Sequence, residues 1–152
     1  MDAFAAALNE VLTDTYHSIL RTEEEALRKS GQIHLSIKEI HLIEAVGKGG
    51  KQGRTVSEIA IAMNITRSTA TVAINKLEKS GYLEKQPGDE DGRTVRVTLT
   101  RSGKRIDHFH RLYHYNMVTK IVEDLTKTEK DSLFQGIQKL NEFLKKSLGE
   151  KK

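Results

Sequence analysis

The chain has 152 residues, one domain's worth, with 25 Lys+Arg against 21 Asp+Glu and a formal charge of +4. It has no cysteine, which excludes a disulfide framework, thiolate metal ligands and a cysteine nucleophile. The longest apolar run, Ala3 to Leu8, is far too short to span a membrane, and no basic n-region opens the chain, so a cytoplasmic protein is expected.

From Asp2 to Lys29 the apolar positions Phe4, Leu8, Val11, Leu12, Ile19 and Leu20 recur at helical spacing without Gly or Pro, predicting a long amphipathic helix that ends near Gly31. A second helix follows Ser36, its cap, with Ile37, Ile40, Ile43 and Val46 on one side. The stretch Gly47-Lys48-Gly49-Gly50-Lys51-Gln52-Gly53 lacks the Ser or Thr and the upstream Gly of a phosphate-cradling loop, and reads as a flexible connector.

Ser57 is the expected cap of a short helix through Met63, and Asn64 supplies a turn residue that tolerates left-handed geometry. The next helix runs from Thr66 to Ser80 and is closed by Gly81. On it Ala70, Ala73, Ile74 and Leu77 form the apolar face, while Arg67, Ser68, Thr71, Asn75 and Lys79 lie opposite. Two short helices across a tight turn, the second with a polar, cationic outer face, make a helix-turn-helix. Tyr82 to Gln86 is strand-like, Pro87 to Gly92 is rich in turn residues, and Val95, Val97 and Leu99 alternate with polar residues. That hairpin is the wing of a winged helix-turn-helix.

Thr100 caps a long helix to about Asp124, and Thr126 with Glu129 forms a capping box for the last one. The last helix carries Leu133, Phe134, Ile137, Leu140, Phe143, Leu144 and Leu148. The expected fold is mainly α with a small β-hairpin wing (α+β). Residues 36–100 form the DNA-binding lobe, and the long helices of 1–35 and 101–152 bury their apolar stripes across a homodimer. Charge follows the same division: residues 1–63 carry a net −2, 64–105 a net +4 and 106–152 a net +2.

The segment Asp91-Gly92-Arg93-Thr94-Val95-Arg96-Val97-Thr98-Leu99-Thr100-Arg101-Ser102-Gly103 resembles the wing signature of the MarR family, D-x-R-x-x-x-V-x-L-T-x-x-G. Ser57 to Ala60 and Leu77 to Glu84 are similar to that family's helix-turn-helix. The resemblance implies a single MarR-type domain over 1–152 in a homodimeric bacterial transcription regulator, with a pseudo-palindromic double-stranded operator as partner. Ser36 to His41, Asn75 to Tyr82, Phe109-His110, His114 and Met117-Val118 are similar to the subgroup that represses fatty-acid synthesis genes. In that subgroup the effector is acyl carrier protein bearing a long acyl chain.

In such a dimer the recognition helix enters the major groove, and Arg67, Ser68, Thr69, Thr71 and Asn75 are the candidates for base edges, with Lys76 and Lys79 nearer the phosphates. Arg67 suits a guanine and the Thr71 methyl a thymine, while Ser68 and Thr69 fit helix capping as well as base contact. Arg93 suits a narrow A·T-rich minor groove. Asp91 matches the family position that orients this arginine, and Arg96 completes the wing's cationic set. No enzyme motif, cofactor or membrane contact is read from the residues.

His110 and His114 share a helix face, and His41 lies on a helix expected to pack nearby, so these three are read as an effector pocket without metal. The alternative is a zinc set of Glu24, His41, His110 and His114, as in the zinc-sensing branch of the family. Leu12, Ile19, Ile40, Ile43, Phe109 and Leu112 are candidates for an acyl tunnel or for plain helix packing, and Arg21, Arg28, Lys29 or Arg111 for a carrier-protein patch. A reading from another class is a winged-helix protein-interaction module that does not bind DNA.

Overall fold

The computed structural model describes residues 2–31, 34–88 and 93–149. In chain order the elements are α1 (Ala3–Ser30), α2 (Ile37–Gly47), a 3-10 turn (Gly50–Gln52), β1 (Arg54–Thr55), α3 (Val56–Met63), α4 (Arg67–Lys79), β2 (Leu83–Pro87), β3 (Val95–Leu99), α5 (Arg101–Glu123) and α6 (Lys127–Ser147). The chain divides into two compact units, Met1–His110 and Arg111–Lys152. No helix among the described residues is long and apolar enough to cross a membrane.

Local chemistry accounts for the helix ends. Asp2 accepts from the Phe4 amide, and Gly31 closes α1 in a left-handed conformation at φ 60°. Ser36 and Glu39 form a reciprocal capping box at α2, as Thr126 and Glu129 do at α6. The cap of α3 is Thr55 rather than Ser57: Glu58 sits three residues after Thr55, the two close a capping box, and Ser57 falls inside the first turn. Asn64 occupies the left-handed region at φ 52°, ψ 46°, and so makes the tight turn of the helix-turn-helix.

The glycine-rich stretch is more ordered than a flexible connector. After the 3-10 turn, Arg54 and Thr55 pair antiparallel with Val97 and Arg96, so β3 is the central strand in the order β1-β3-β2. Gly53 makes this possible: at φ 68° it lies against the Val97 carbonyl, where a Cβ would collide. Leu83 pairs with Leu99 and Pro87 with Val95 across β2 and β3. With a strand on each side, β3 departs from the simple alternation expected of a hairpin. Thr98 is buried and its hydroxyl lies 3.3 Å from Glu84 Oε1, whereas Val95 near the tip is exposed.

The core of the first unit is aliphatic. Ile43, Ile59, Ile74, Leu77 and Val97 are fully buried and join α2, α3, α4 and the sheet. Ile40 and Ile43 are therefore packing residues. Leu12, Ile19, Phe109 and Leu112 remain exposed. The start of α5 is tied to the end of α4. The Thr100 amide donates to the Tyr82 carbonyl at 3.1 Å, its hydroxyl reaches the Gly81 carbonyl at 2.6 Å, and the Gly103 amide donates back to that hydroxyl at 3.1 Å.

In the second unit, α6 leaves Leu133, Phe134, Ile137, Phe143, Leu144 and Leu148 exposed. A shallow groove runs among Phe134, Ile137, Leu140 and Leu144. An exposed apolar stripe of this size marks a surface suited to a partner.

Candidate nucleic-acid interface

Thr66 fixes the start of α4. Its hydroxyl accepts from the Thr69 amide at 3.2 Å and lies 2.8 Å from Thr69 Oγ1 and 3.1 Å from Ser68 Oγ. Ser68 and Thr69 thus take part in capping as well as facing solvent. Thr71 donates its hydroxyl proton to the Arg67 carbonyl at 2.9 Å, which leaves its methyl and an oxygen lone pair for a ligand. Arg67, Asn75, Lys76 and Lys79 are all exposed on the same helix.

Two of these side chains are held by other elements. Lys85 Nζ on β2 donates to Asn75 Oδ1 at 2.6 Å and pairs with Glu78 at 2.8 Å. Lys76 Nζ lies 2.6 Å from Glu39 Oε1 on α2. Burial of Glu39 works to raise its carboxyl, but the Lys76 ammonium and the hydrogen bonds from Ser36 outweigh it and hold the group below its ordinary range. Arg67 and Lys79 have no ion-pair partner among the described residues.

In the wing, Arg93 is exposed, and the Gly88 amide donates to the Thr94 carbonyl at 2.6 Å, just beyond the paired residues of β2 and β3. Asp91 lies outside the described residues. Arg96 is set apart from the other cations: its guanidinium donates to the Gly53 carbonyl at 3.3 Å and lies 3.8 Å from Glu58, so it braces the wing against α3.

Val72 was absent from the expected set. It is 70 % exposed on α4, between Ser68 four residues before and Asn75 three after. The helical phase places it at the middle of the outward face, where its apolar side chain interrupts the polar pattern.

A second cluster lies within the first unit. Glu23 on α1, 4 % exposed, faces His41 Nε2 at 3.7 Å and His110 Nε2 at 3.5 Å. His110, 3 % exposed, places Nδ1 3.0 Å from Glu44 Oε2, and the His41 and His110 rings are 5.3 Å apart. Burial works to raise the Glu44 carboxyl, while Lys48 at 2.9 Å and His110 hold it below its ordinary range. The carboxylate in this group is Glu23 and not Glu24, because the α1 face packed toward α2 carries Glu23 with Leu27 and leaves Glu24 in solvent. Glu23, His41 and His110 place ligand atoms within 4.8 Å of one another. His114 lies one turn further along α5, in the second unit.

A sequence profile described as MarR family matches residues 35–94, the α2-to-wing segment. BilQ, an HTH-type transcriptional regulator of Clostridium symbiosum, is 30% identical over 127 residues, covering 83% of this chain and 84% of that protein. The chain belongs to the MarR family. YfiV, an uncharacterized HTH-type transcriptional regulator of Bacillus subtilis, is 33% identical over 97 residues, which are 62% of this chain and 59% of that relative. The crystal structure of Streptococcus pneumoniae FabT in complex with DNA matches with a TM-score of 0.87 at 33% identity, over 93% of this chain and 98% of that one. The chain is accordingly a transcriptional regulator with the winged-helix DNA-binding fold.

Proposed function

We propose that this MarR-family regulator acts in the cytoplasm as a homodimeric transcriptional repressor, with α4 in the major groove and the wing in the minor groove of a pseudo-palindromic operator. The observation that carries the reading is the outward face of α4. Arg67, Ser68, Asn75 and Lys79 are solvent-facing on a helix whose opposite face is fully buried. The exposed apolar stripe of α6 supports the homodimer. Selection of bound duplexes from random-sequence DNA tests the proposal: enrichment of an inverted repeat supports it, and recovery of no preferred duplex overturns it.

The resemblance to the subgroup that represses fatty-acid synthesis genes extends the proposal to that subgroup's effector, acyl carrier protein bearing a long acyl chain, and to fatty-acid synthesis genes as targets. The likeness to FabT in complex with DNA supports the DNA-binding part. Adding long-chain acyl carrier protein then changes the affinity for the selected duplex; an unchanged affinity overturns this extension.

A second reading, regulation by zinc, is favoured by the Glu23, His41 and His110 cluster. Its carboxylate-to-imidazole separations of 3.5 and 3.7 Å are longer than hydrogen bonds. They are close to the edge of a tetrahedron with zinc–ligand bonds of about 2.0–2.1 Å. Glu44 against His110 Nδ1 is the kind of carboxylate that orients a ligating imidazole. When bound, the ion would link α1, α2 and α5 through these residues. Metal analysis of the purified protein tests this reading: near-stoichiometric zinc, lost in Glu23→Gln, supports it, and no bound metal overturns it.

A further inference from the structure

We propose that Val72 is a specificity-determining residue of the DNA interface, reading the 5-methyl group of one thymine in each half-site. The inference rests on the DNA-binding reading above and refines it.

Val72 is exposed at the centre of the outward face of α4, where Ser68, Thr69, Asn75 and Lys76 surround it three and four residues away along the helix. All four neighbours are polar or cationic, so the apolar area is one side chain wide. An area of that size is too small to hold a protein partner, whose interface core needs several contiguous apolar groups. It fits a single methyl group. Among the four bases, thymine alone presents a methyl in the major groove, and apolar side chains recognise it by contact.

The neighbouring side chains fix what the rest of this face can do. Lys85 occupies Asn75 Oδ1, so the Asn75 amide nitrogen is the end left to donate to an acceptor. The Thr71 hydroxyl is spent on its own helix. Thr71 therefore also offers a methyl, but 100° away around the helix from Val72, so the two would meet different bases. The pattern predicted for a half-site is a methyl-bearing thymine beside an acceptor-rich base edge.

The test uses the duplex selected from random DNA, with each thymine replaced in turn by deoxyuridine, which lacks only the methyl. For the wild-type protein, one position per half-site loses about fourfold in affinity, the effect of one buried methyl. In Val72→Ala that sensitivity disappears, while Thr71→Ser retains it. Val72 makes no core contact, so the variant's melting temperature serves as the folding control.

Three results overturn the inference. These are a wild type insensitive to every replacement, a sensitivity that persists in Val72→Ala, and one that vanishes in Thr71→Ser alone. Selection that enriches no duplex removes the DNA-binding reading and this inference together. Enrichment without a methyl-sensitive thymine removes this inference only.

Discussion

Lys85 on the second strand of the sheet and Asn75 on α4 are joined by a 2.6 Å hydrogen bond from Nζ to Oδ1, ten residues apart in the chain. The bond ties a recognition-helix side chain to the wing, and Glu78 holds the same ammonium at 2.8 Å. Lys85→Ala should therefore leave Asn75 free to rotate and weaken binding to a selected duplex by about threefold to tenfold. That is the range of one ordinary hydrogen bond. Asn75→Ala should cost at least as much, and the double variant little more than Asn75→Ala alone. Fluorescence anisotropy titrations measure all three.

Arg93 stands exposed at the wing. Arg93→Ala should weaken binding by about 1–3 kcal/mol without altering the melting temperature. Arg96→Ala should do the reverse. Its guanidinium braces Gly53 and Glu58, so thermal stability falls while the DNA contact is affected only through the wing's position. Melting curves beside gel-shift titrations separate the two arginines.

Gly103 sits where a Cβ would run into the Tyr82 carbonyl, at the joint between α4 and α5. Gly103→Ala should destabilise the protein by about 1–3 kcal/mol, the cost of forcing packed backbone apart. A fall of several degrees in melting temperature is the expected reading.

Glu39 and Glu44 both have carboxyl groups held below their ordinary range, by Lys76 and by Lys48 with His110 respectively, against the opposing effect of burial. A carboxyl depressed in the folded state adds stability above its unfolded value, and that stability is lost as pH falls through the folded value. Urea unfolding should therefore show stability declining below about pH 4.5. Glu44→Gln should flatten that decline.

The local signals of the fold were legible in the sequence. Ser36, Thr126 and Gly31 mark helix ends by their own chemistry, and Asn64 marks the turn because few other residues adopt its conformation. Two residues of β1 are too short to show a period of two, so Arg54-Thr55 stayed hidden within a glycine-rich segment. Glu23 and Glu24 differ by 100° of helix phase, and only the packing of α1 against its neighbours tells which is buried. The Lys85–Asn75 and Lys76–Glu39 pairs depend on tertiary placement, which spacing along the chain does not encode. Val72 was missed for another reason: it breaks the polar pattern of its face, and such a break points to function once exposure is known.

The exposed stripe of α6 is expected to hold the dimer. Ile137→Asp places a charge in it and should shift the protein toward monomer, read by light scattering at micromolar concentration. A variant that remains fully dimeric would remove α6 from the interface.

The central claim, that the α4 face and the wing hold duplex DNA, is tested most directly by the salt dependence of binding to a selected duplex. Lys76, Lys79 and Arg93 from each protomer would displace counterions, giving a slope of log K against log salt of about −5. Such a slope, made shallower by Lys79→Ala, is the predicted result. Affinity independent of salt, or no binding to any duplex at low salt, would contradict the account.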